Sequence, residues 1–471
     1  MSTFGKEAEK ALAGLLETYD KPGPRYTSYP TAPVWNDSFG ETDWREALAR
    51  ADQSPEEPFS LYVHLPFCES MCFYCACNVV ITQRREKARA YVDRLLLEVE
   101  RVASSLPHRR KIGQHHWGGG TPTYLPPEEI ERLFVGISAH FPLTPKAEVS
   151  IEVDPRVTNF EQLEVLRKLG FNRISMGIQD FDPKVQKAIH RIQSEEMTKA
   201  LIDEARRLGF ESVNVDLVYG LPYQEPGKFS NTIDTILDWK VDRVACYGFA
   251  HVPWVKKHQK ALPEGSFPSP EERLRLLTLS LERFESGGYR HIGFDHFARP
   301  EDSLALASDE GRLHRNFMGY TTRMGKGRAG EDMLMFGMTS IGEVGGAFGQ
   351  NEKDLKSWTR AIDEGHLPIH RGMRRSADDE ERRRIILDLM CNYQVRFEDY
   401  EKAGQKPFVE RYQDALQDLR RMEGDGLVRV HEDHIEVPPL GRLFLRNLSM
   451  PFDAYLEGQR KNKGPMFSRT I

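Results

Sequence analysis

No stretch of this chain is long and apolar enough to read as a membrane span. Its least charged window, Met333–Gly349, is rich in glycine and holds Glu343, and it reads as a buried strand and loop. Neither sign of charge dominates. Against 71 Asp and Glu stand 65 Lys and Arg, a net charge of −6 without a basic block, so the electrostatic footprint of a nucleic-acid binder is missing. The first residues, Met1 to Lys10, carry charges where an export signal would be apolar, and a cytoplasmic protein is expected. Cysteine is scarce too, six in 471 residues, and a chain of this length can bury a large core without disulfide staples.

Four of the six cysteines nevertheless crowd into ten positions, Cys68-Glu-Ser-Met-Cys72-Phe-Tyr-Cys75-Ala-Cys77, directly after the strand-like run Ser60–Pro66. A structural zinc site draws on two ligand pairs separated by a longer loop, and no second Cys or His pair stands at a fitting distance. A C-x3-C-x2-C loop can instead aim three sulfurs at three corners of one [4Fe–4S] cube. If only three thiolates serve the cube, one iron stays open to a substrate or cofactor, which points to reactivity more than to electron transfer alone. Cys77 has three readings: a rival ligand, a catalytic thiol or a small buried residue. Cys246 and Cys391 stand singly in apolar surroundings and read as core.

From about residue 58 to about 298 short β-rich runs alternate with amphipathic helical stretches, the pattern of parallel βα units. The strands are placed at Ser60–Pro66, Ile112–Trp117, Glu148–Val153, Arg173–Ile178, Ser212–Tyr219 and Arg243–Phe249, each nearly continuous in apolar residues. One helix shows its buried stripe at Tyr91, Leu95, Val99 and Val102. Leu169-Gly170-Phe171 and Leu208-Gly209-Phe210 mark helix ends, and Gly287-Gly288-Tyr289 is a third copy. Six units imply an α/β fold, an incomplete (β/α)6 TIM-like barrel with its site at the strand C-termini. The cysteine loop follows the first strand on that face. The organisation expected is an N-terminal arm (1–57), the partial barrel (58–300), a barrel-completing and substrate-loop region (301–369) and a mostly helical, winged-helix-like C-terminal domain (370–471). Ser376 is the expected N-cap of that domain's first helix, a second helix is placed at 407–422, and Gly426–Val437 reads as a hairpin.

Trp117-Gly118-Gly119-Gly120-Thr121-Pro122 ends the second strand, and a glycine triple lets backbone approach a ligand closely. C-x3-C-x2-C after the first strand and GGGTP after the second resemble the radical S-adenosylmethionine (SAM) enzymes. The likeness extends in order through Pro24–Thr31, Ile151–Pro155, Met176–Phe181, Asp216–Pro222, Phe249–Pro253, Asp295–Pro300 and His314–Phe317. Together these resemble the oxygen-independent coproporphyrinogen III dehydrogenase (oxidase) family of anaerobic haem synthesis, over nearly the whole chain.

The resemblance implies that Cys68, Cys72 and Cys75 ligate the cluster and that Tyr62, Gly119, Glu152 and Ile341 contact the SAM bound at the open iron. It further implies a second SAM on Tyr74, Gly120, Thr121, Gln179, Arg191, Asp216 and Ala250. Cys77 and Arg25 are the catalytic candidates, Arg25 as a partner for the propionates of coproporphyrinogen III. The implied reaction uses a 5′-deoxyadenosyl radical to convert two propionates to vinyl groups, giving protoporphyrinogen IX. A low-potential donor of flavodoxin or ferredoxin type is implied as partner, and a monomer is expected. A haem chaperone of the same superfamily is an alternative, but it would generally lack a fourth cysteine and carry HNxxYW, which His314-Arg-Asn-Phe-Met-Gly-Tyr320 does not match. A radical methyltransferase acting on haem is a second alternative. His251, His296 and His314 fit no compact zinc spacing and read as structural or porphyrin-contacting. Two departures from the family pattern stand near the expected pocket: the long basic stretch Thr321–Met333, and Met318 where a glutamine commonly follows Asn-Phe.

Overall fold

The computed structural model describes residues 6–324, 331–460 and 467–470. Six strands, β1 (Phe59–Leu65), β2 (Ile112–Gly119), β3 (Leu143–Val153), β4 (Arg173–Gln179), β5 (Ser212–Tyr219) and β6 (Arg243–Gly248), pair in parallel in sequence order. Helices Arg85–Ser104, Pro127–His140, Phe160–Leu169, Glu195–Arg207 and Pro226–Trp239 connect them, so this is the expected α/β partial barrel. The predicted stripe Tyr91, Leu95, Val99 and Val102 is buried. Asn159, Ser194 and Ser269 accept amide hydrogen bonds at helix N-termini, and Gly170 and Gly209 close helices with φ of 104° and 86°.

The sheet continues beyond the six strands at both edges. After Gly288 the chain makes an antiparallel pair, β7 (Arg290–Ile292) and β8 (His296–Ala298), on the β6 edge. On the β1 edge, β9 (Met333–Phe336) adds a seventh parallel strand, followed by antiparallel β10 (Ile341–Val344), β11 (Ala347–Asn351) and β12 (Ile369–Arg374). The order β12-β11-β10-β9-β1-β2-β3-β4-β5-β6-β8-β7 leaves the barrel open. The window read as one strand and a loop is thus three strands. Gly337, Gly345 and Gly346 take φ of 92°, 54° and 77° at the two turns, reversals that side-chain-bearing residues resist.

The N-terminal arm holds more core than its sequence suggests. Trp35, Phe39, Trp44, Ala47 and Leu48 are buried, and the Trp44 ring lies where a Cβ on Gly349 would come within 2.7 Å. The arm also meets the far end of the chain, for Arg446 donates to the carbonyls of Pro24 at 2.9 Å and Arg469 at 2.8 Å. In the C-terminal region Ser376 caps helix Ala377–Asn392, and strands Arg429–Val430 and His434–Glu436 form the expected hairpin. The helix placed at 407–422 is two, Phe408–Arg411 and Gln413–Glu423. The break is at Tyr412, whose ring packs on Phe452 and whose hydroxyl donates to Glu381 at 2.8 Å. Among the described residues no helix is long and apolar enough to cross a membrane. Of the Thr321–Met333 stretch, 325–330 lie outside the described residues.

Helix Arg85–Ser104 carries two buried polar groups that fix the turn after β9. Tyr91 Oη donates to the carbonyl of His64 at 2.8 Å and accepts from the Met338 amide at 2.9 Å. Glu98 accepts from the Gly337 amide (2.9 Å), Asn351 Nδ2 (2.6 Å) and Trp358 Nε1 (3.2 Å). Burial raises the Glu98 carboxyl from 4.5 to about 7 against these hydrogen bonds. A raised folded-state value means that its contribution to stability is complete below 4.5 and is lost as the pH rises through about 7. Glu98→Ala leaves the buried Gly337 amide and Trp358 Nε1 unpaired, while Asn351 Nδ2 keeps Gly337 O and Ser340 Oγ, and is expected to destabilise on the order of 3 kcal/mol. Thermal midpoints and hydrogen exchange at the Gly337 and Asn351 amides check this. The wild-type advantage should be greatest below 4.5 and fall away as the pH rises from there through about 7; an unchanged midpoint contradicts it.

Candidate active site

The cysteine loop leaves β1 at Pro66 and is pinched at its base, where the Val80 amide donates to Pro66 O at 2.8 Å and the Thr82 amide to Cys68 O at 3.0 Å. Its outer carbonyls are held by side chains from the loops after β4 and β6. His190 Nδ1 meets Met71 O at 2.8 Å, His258 Nε2 meets Cys75 O at 2.7 Å, and Gln259 Nε2 donates to Tyr74 O at 3.1 Å. With the backbone tied outward, Cys68, Cys72 and Cys75 line one cavity of about 290 Å³. Cys77 is exposed, and its amide donates toward Cys75 Sγ at 3.4 Å.

The glycine loop forms the adjoining wall because the β1–β2 register sets Leu65 beside Gly119. The Gly120 amide donates to Leu65 O and the Thr121 amide to Phe67 O, both at 2.9 Å, and Thr121 Oγ1 lies 3.6 Å from Cys68 Sγ. A Cβ on Gly120 would fall 2.6 Å from the carbonyl carbon of Pro66, and Gly119 has φ of 112°. These contacts, backbone against backbone, require glycine.

Acidic side chains stand at the ends of the next strands. The Glu152 carboxylate accepts from the Gly119 amide at 3.1 Å and faces His116 Nε2 at 3.5 Å. Burial opposes its charge, yet His116 and the Gly119 amide keep its carboxyl below the usual value. His116 Nδ1 pairs with Ser150 Oγ at 2.7 Å, while His115, on the other face of the strand, stacks on Phe134. Asp216 accepts from Asn214 at 3.1 Å and Ser175 at 3.3 Å, and burial with the neighbouring charge of Glu152 pushes it up to about 6. Burial lowers His64 to about 4, so the ring is neutral; its Nε2 donates to Asn78 O at 3.0 Å and Nδ1 receives the Tyr62 hydroxyl at 3.0 Å.

The cavity of the cysteines also holds Tyr74, Gly119, Gly120, Thr121, Glu152, Gln179, Arg191 and Asp216, with Gln179 in a left-handed conformation at φ 71°. Tyr62 and Ile341 line an adjoining cavity of about 450 Å³ with Phe317 and Met318, and Gly119, Glu152 and Cys77 border both. Ala250 and Arg25 line a third chamber of about 230 Å³ that Tyr247 also borders, and the Ala250 carbonyl accepts from the same Gln259 Nε2 that donates to Tyr74 O, both at 3.1 Å. There Arg25 donates to Gly248 O at 3.3 Å. Arg191 is already engaged, by Asp154 at 3.0 and 3.2 Å and by Gly177 O at 2.7 Å. Of the three single histidines, His296 reaches the barrel interior beside Asp216, His251 packs on Phe267 in the third chamber, and His314 is buried; they do not converge.

Sequence reasoning missed Asp154, Arg156, His64, His116 and Tyr247 as parts of the site. For Asp154 and His64 a signal existed: strand alternation puts Asp154 on the face of Glu152, and His64 on that of Tyr62. Arg156 follows an Asp-Pro turn and carries no periodic mark.

The residues fit an iron–sulfur cube with SAM beside it. Three thiols open on one cavity, guanidinium groups stand at Cys72, and the glycine wall has no room for a Cβ at Gly119 or Gly120. The Radical SAM superfamily model matches residues 62–236, and that of the HemN C-terminal domain matches residues 376–444. The chain is 41% identical over 457 residues to the oxygen-independent coproporphyrinogen III oxidase of Escherichia coli (strain K12), spanning 97% of this chain and 98% of the relative. It is 42% identical over 463 residues to the protein of that name from Synechocystis sp., spanning 98% of each. The solved structure of coproporphyrinogen III oxidase (HemN) from Escherichia coli, a radical SAM enzyme, matches with TM-score 0.88 and 40% identity, covering 94% of this chain and 98% of that one.

Gly120→Ala forces the two loops apart, since the atoms its Cβ would meet are backbone. Iron and sulfide per chain after anaerobic reconstitution should fall well below wild type. Full loading contradicts the close packing.

Proposed function

The chain belongs to the oxygen-independent coproporphyrinogen III oxidase family, and on that premise we propose that it oxidatively decarboxylates two propionate side chains of coproporphyrinogen III. The product is protoporphyrinogen IX, with vinyl groups in their place, in haem synthesis. One observation carries this reading: a single cavity joins three clustered thiols, a glycine wall without side chains, and the carboxylates of Glu152 and Asp216.

When bound and reduced, the cluster supplies one electron that cleaves SAM to methionine and a 5′-deoxyadenosyl radical. The chain's own residues then bind, orient and exclude water. Cys68, Cys72 and Cys75 hold the cluster. Glu152, kept ionised by His116 and the Gly119 amide, would accept from the ammonium group of SAM, with Tyr62, Gly119 and Ile341 as its other contacts. A second SAM is assigned to Tyr74, Gly120, Thr121, Gln179, Arg191 and Asp216. Arg191 would share its guanidinium with Asp154, and Ala250 would take part beside Tyr74, to which Gln259 ties its carbonyl. Cys77 borders both cavities at the cysteine loop and is the candidate thiol for hydrogen or proton transfer.

Arg25 suits a propionate. It is half-buried beside Arg446 and Arg273 in the third chamber, with the Gly248 carbonyl at 3.3 Å as its one hydrogen-bond acceptor among the described residues, and desolvation lowers its affinity for its proton despite Asp295. A carboxylate entering that chamber would replace lost solvation with a charge-assisted pair. The electron would come from a low-potential flavodoxin- or ferredoxin-type donor.

Anaerobic incubation of the reconstituted protein with dithionite, SAM and coproporphyrinogen III should yield 5′-deoxyadenosine and vinyl products, and Cys72→Ala should abolish both. Stoichiometric haem uptake without turnover would overturn this in favour of a chaperone, and methylated tetrapyrroles in favour of a methyltransferase. The pH profile adds a second check. Asp216 takes up its proton as the pH falls through about 6, so SAM consumption should drop there, and Asp216→Asn should be slow throughout and lack that limb.

A further inference from the structure

The three clustered thiols do not share one environment. Cys68 Sγ meets the neutral hydroxyl of Thr121 at 3.6 Å, and Cys75 Sγ meets a backbone amide at 3.4 Å. Cys72, by contrast, faces guanidinium groups: Arg156 Nη2 lies 3.4 Å from its sulfur and Arg191 Nη1 lies 3.9 Å away. Both arginines are gripped by one carboxylate. Asp154 accepts from Arg156 Nε at 3.0 Å and Nη2 at 2.6 Å, and from Arg191 at 3.0 and 3.2 Å. Asp154 and Arg191 are buried. Burial works against charge on Asp154, but the two guanidiniums bring its carboxyl down to about 2, so the trio carries a net single positive charge against Cys72.

We propose that Arg156, aimed by Asp154, is a positioning residue that donates a charge-assisted N–H···S hydrogen bond to the Cys72 ligand and raises the reduction potential of the cluster. The proposal rests on the cluster reading above. Reduction adds negative charge to the cluster and its sulfurs, and a nearby donor bearing positive charge stabilises the reduced form more than the oxidised one. Arg156 fits this better than Arg191 does. Its side chain is partly open to the cavity, and it makes no contact with Gly177 to hold it elsewhere. A buried carboxylate with two guanidiniums is not by itself a strong device for stability, because desolvation offsets much of the attraction. Placed on a ligand sulfur, the same charges act on the electron.

Redox titration of the SAM-free reconstituted holoprotein, followed by EPR, tests this. Arg156→Gln removes the positive charge and should shift the midpoint to lower potential, while Arg156→Lys should shift it less. Asp154→Asn removes the negative charge and should shift it the other way, to higher potential. A purely structural role for the trio predicts no such opposition of sign. Equal potentials in wild type and Arg156→Gln at equal iron content would overturn the proposal. If Arg156→Gln loads iron poorly, Asp154→Asn decides, and an unchanged or lowered potential there overturns it too. No cluster in the wild-type protein would instead sink the reading on which the proposal rests.

Discussion

The site depends on the register between two neighbouring parallel strands. Pairing of β1 with β2 sets His64 beside Gly118 and Leu65 beside Gly119, so the chain leaves both strands at the same level. The cysteine loop and the glycine loop are therefore adjacent walls, with Gly120 against the carbonyl of Pro66 at a distance that admits no side chain. A slip of one residue would turn every side chain of β1 to its other face and take the loop with it. The same logic carries across the sheet: Glu152 pairs with Ser175 and Gly177 with Asp216, which brings acids from β3 and β5 to one end of the barrel.

That register makes an ionic chamber out of apolar strands. Glu152 is held ionised, Asp216 is poised near neutrality, and Arg156 and Arg191 stand over one thiol. Such a chamber suits a ligand that carries its own ammonium, carboxylate and sulfonium groups. The neighbouring chamber gathers Arg25, Arg273 and Arg446 and suits an organic anion. Tyr247 borders both chambers.

Most of the barrel is legible in the sequence because parallel strands buried on both faces are nearly continuous in apolar residues. Glycine ends helices where a left-handed residue is needed. Six of the strands are found this way, and the cysteine and glycine motifs fall at their C-terminal ends. The β9–β12 extension is less visible, since its strands are short and glycine turns blur the period. The N-terminal arm hides its core role because Trp35, Phe39, Trp44 and Leu48 are spread among charged residues and are buried only by the late strands they cover. Long-range pairing also explains what was missed in the site. Asp154 looks like a strand-end acid until the fold brings Arg156 and Arg191 to it, 2 and 37 positions on in the chain. Ala250 lines the neighbouring chamber, and its carbonyl shares the Gln259 side-chain amide with the Tyr74 carbonyl of the cysteine loop.

Three sulfurs from one loop would leave one iron of the cube open toward the glycine wall. Mössbauer spectroscopy of protein reconstituted with ⁵⁷Fe, with and without SAM, addresses that directly. The expected result is a [4Fe–4S] spectrum in which one iron changes its isomer shift when SAM is added while the others hold theirs. A cluster whose irons are all unmoved by SAM, or one that survives intact with Cys68, Cys72 and Cys75 all replaced by alanine, would contradict it.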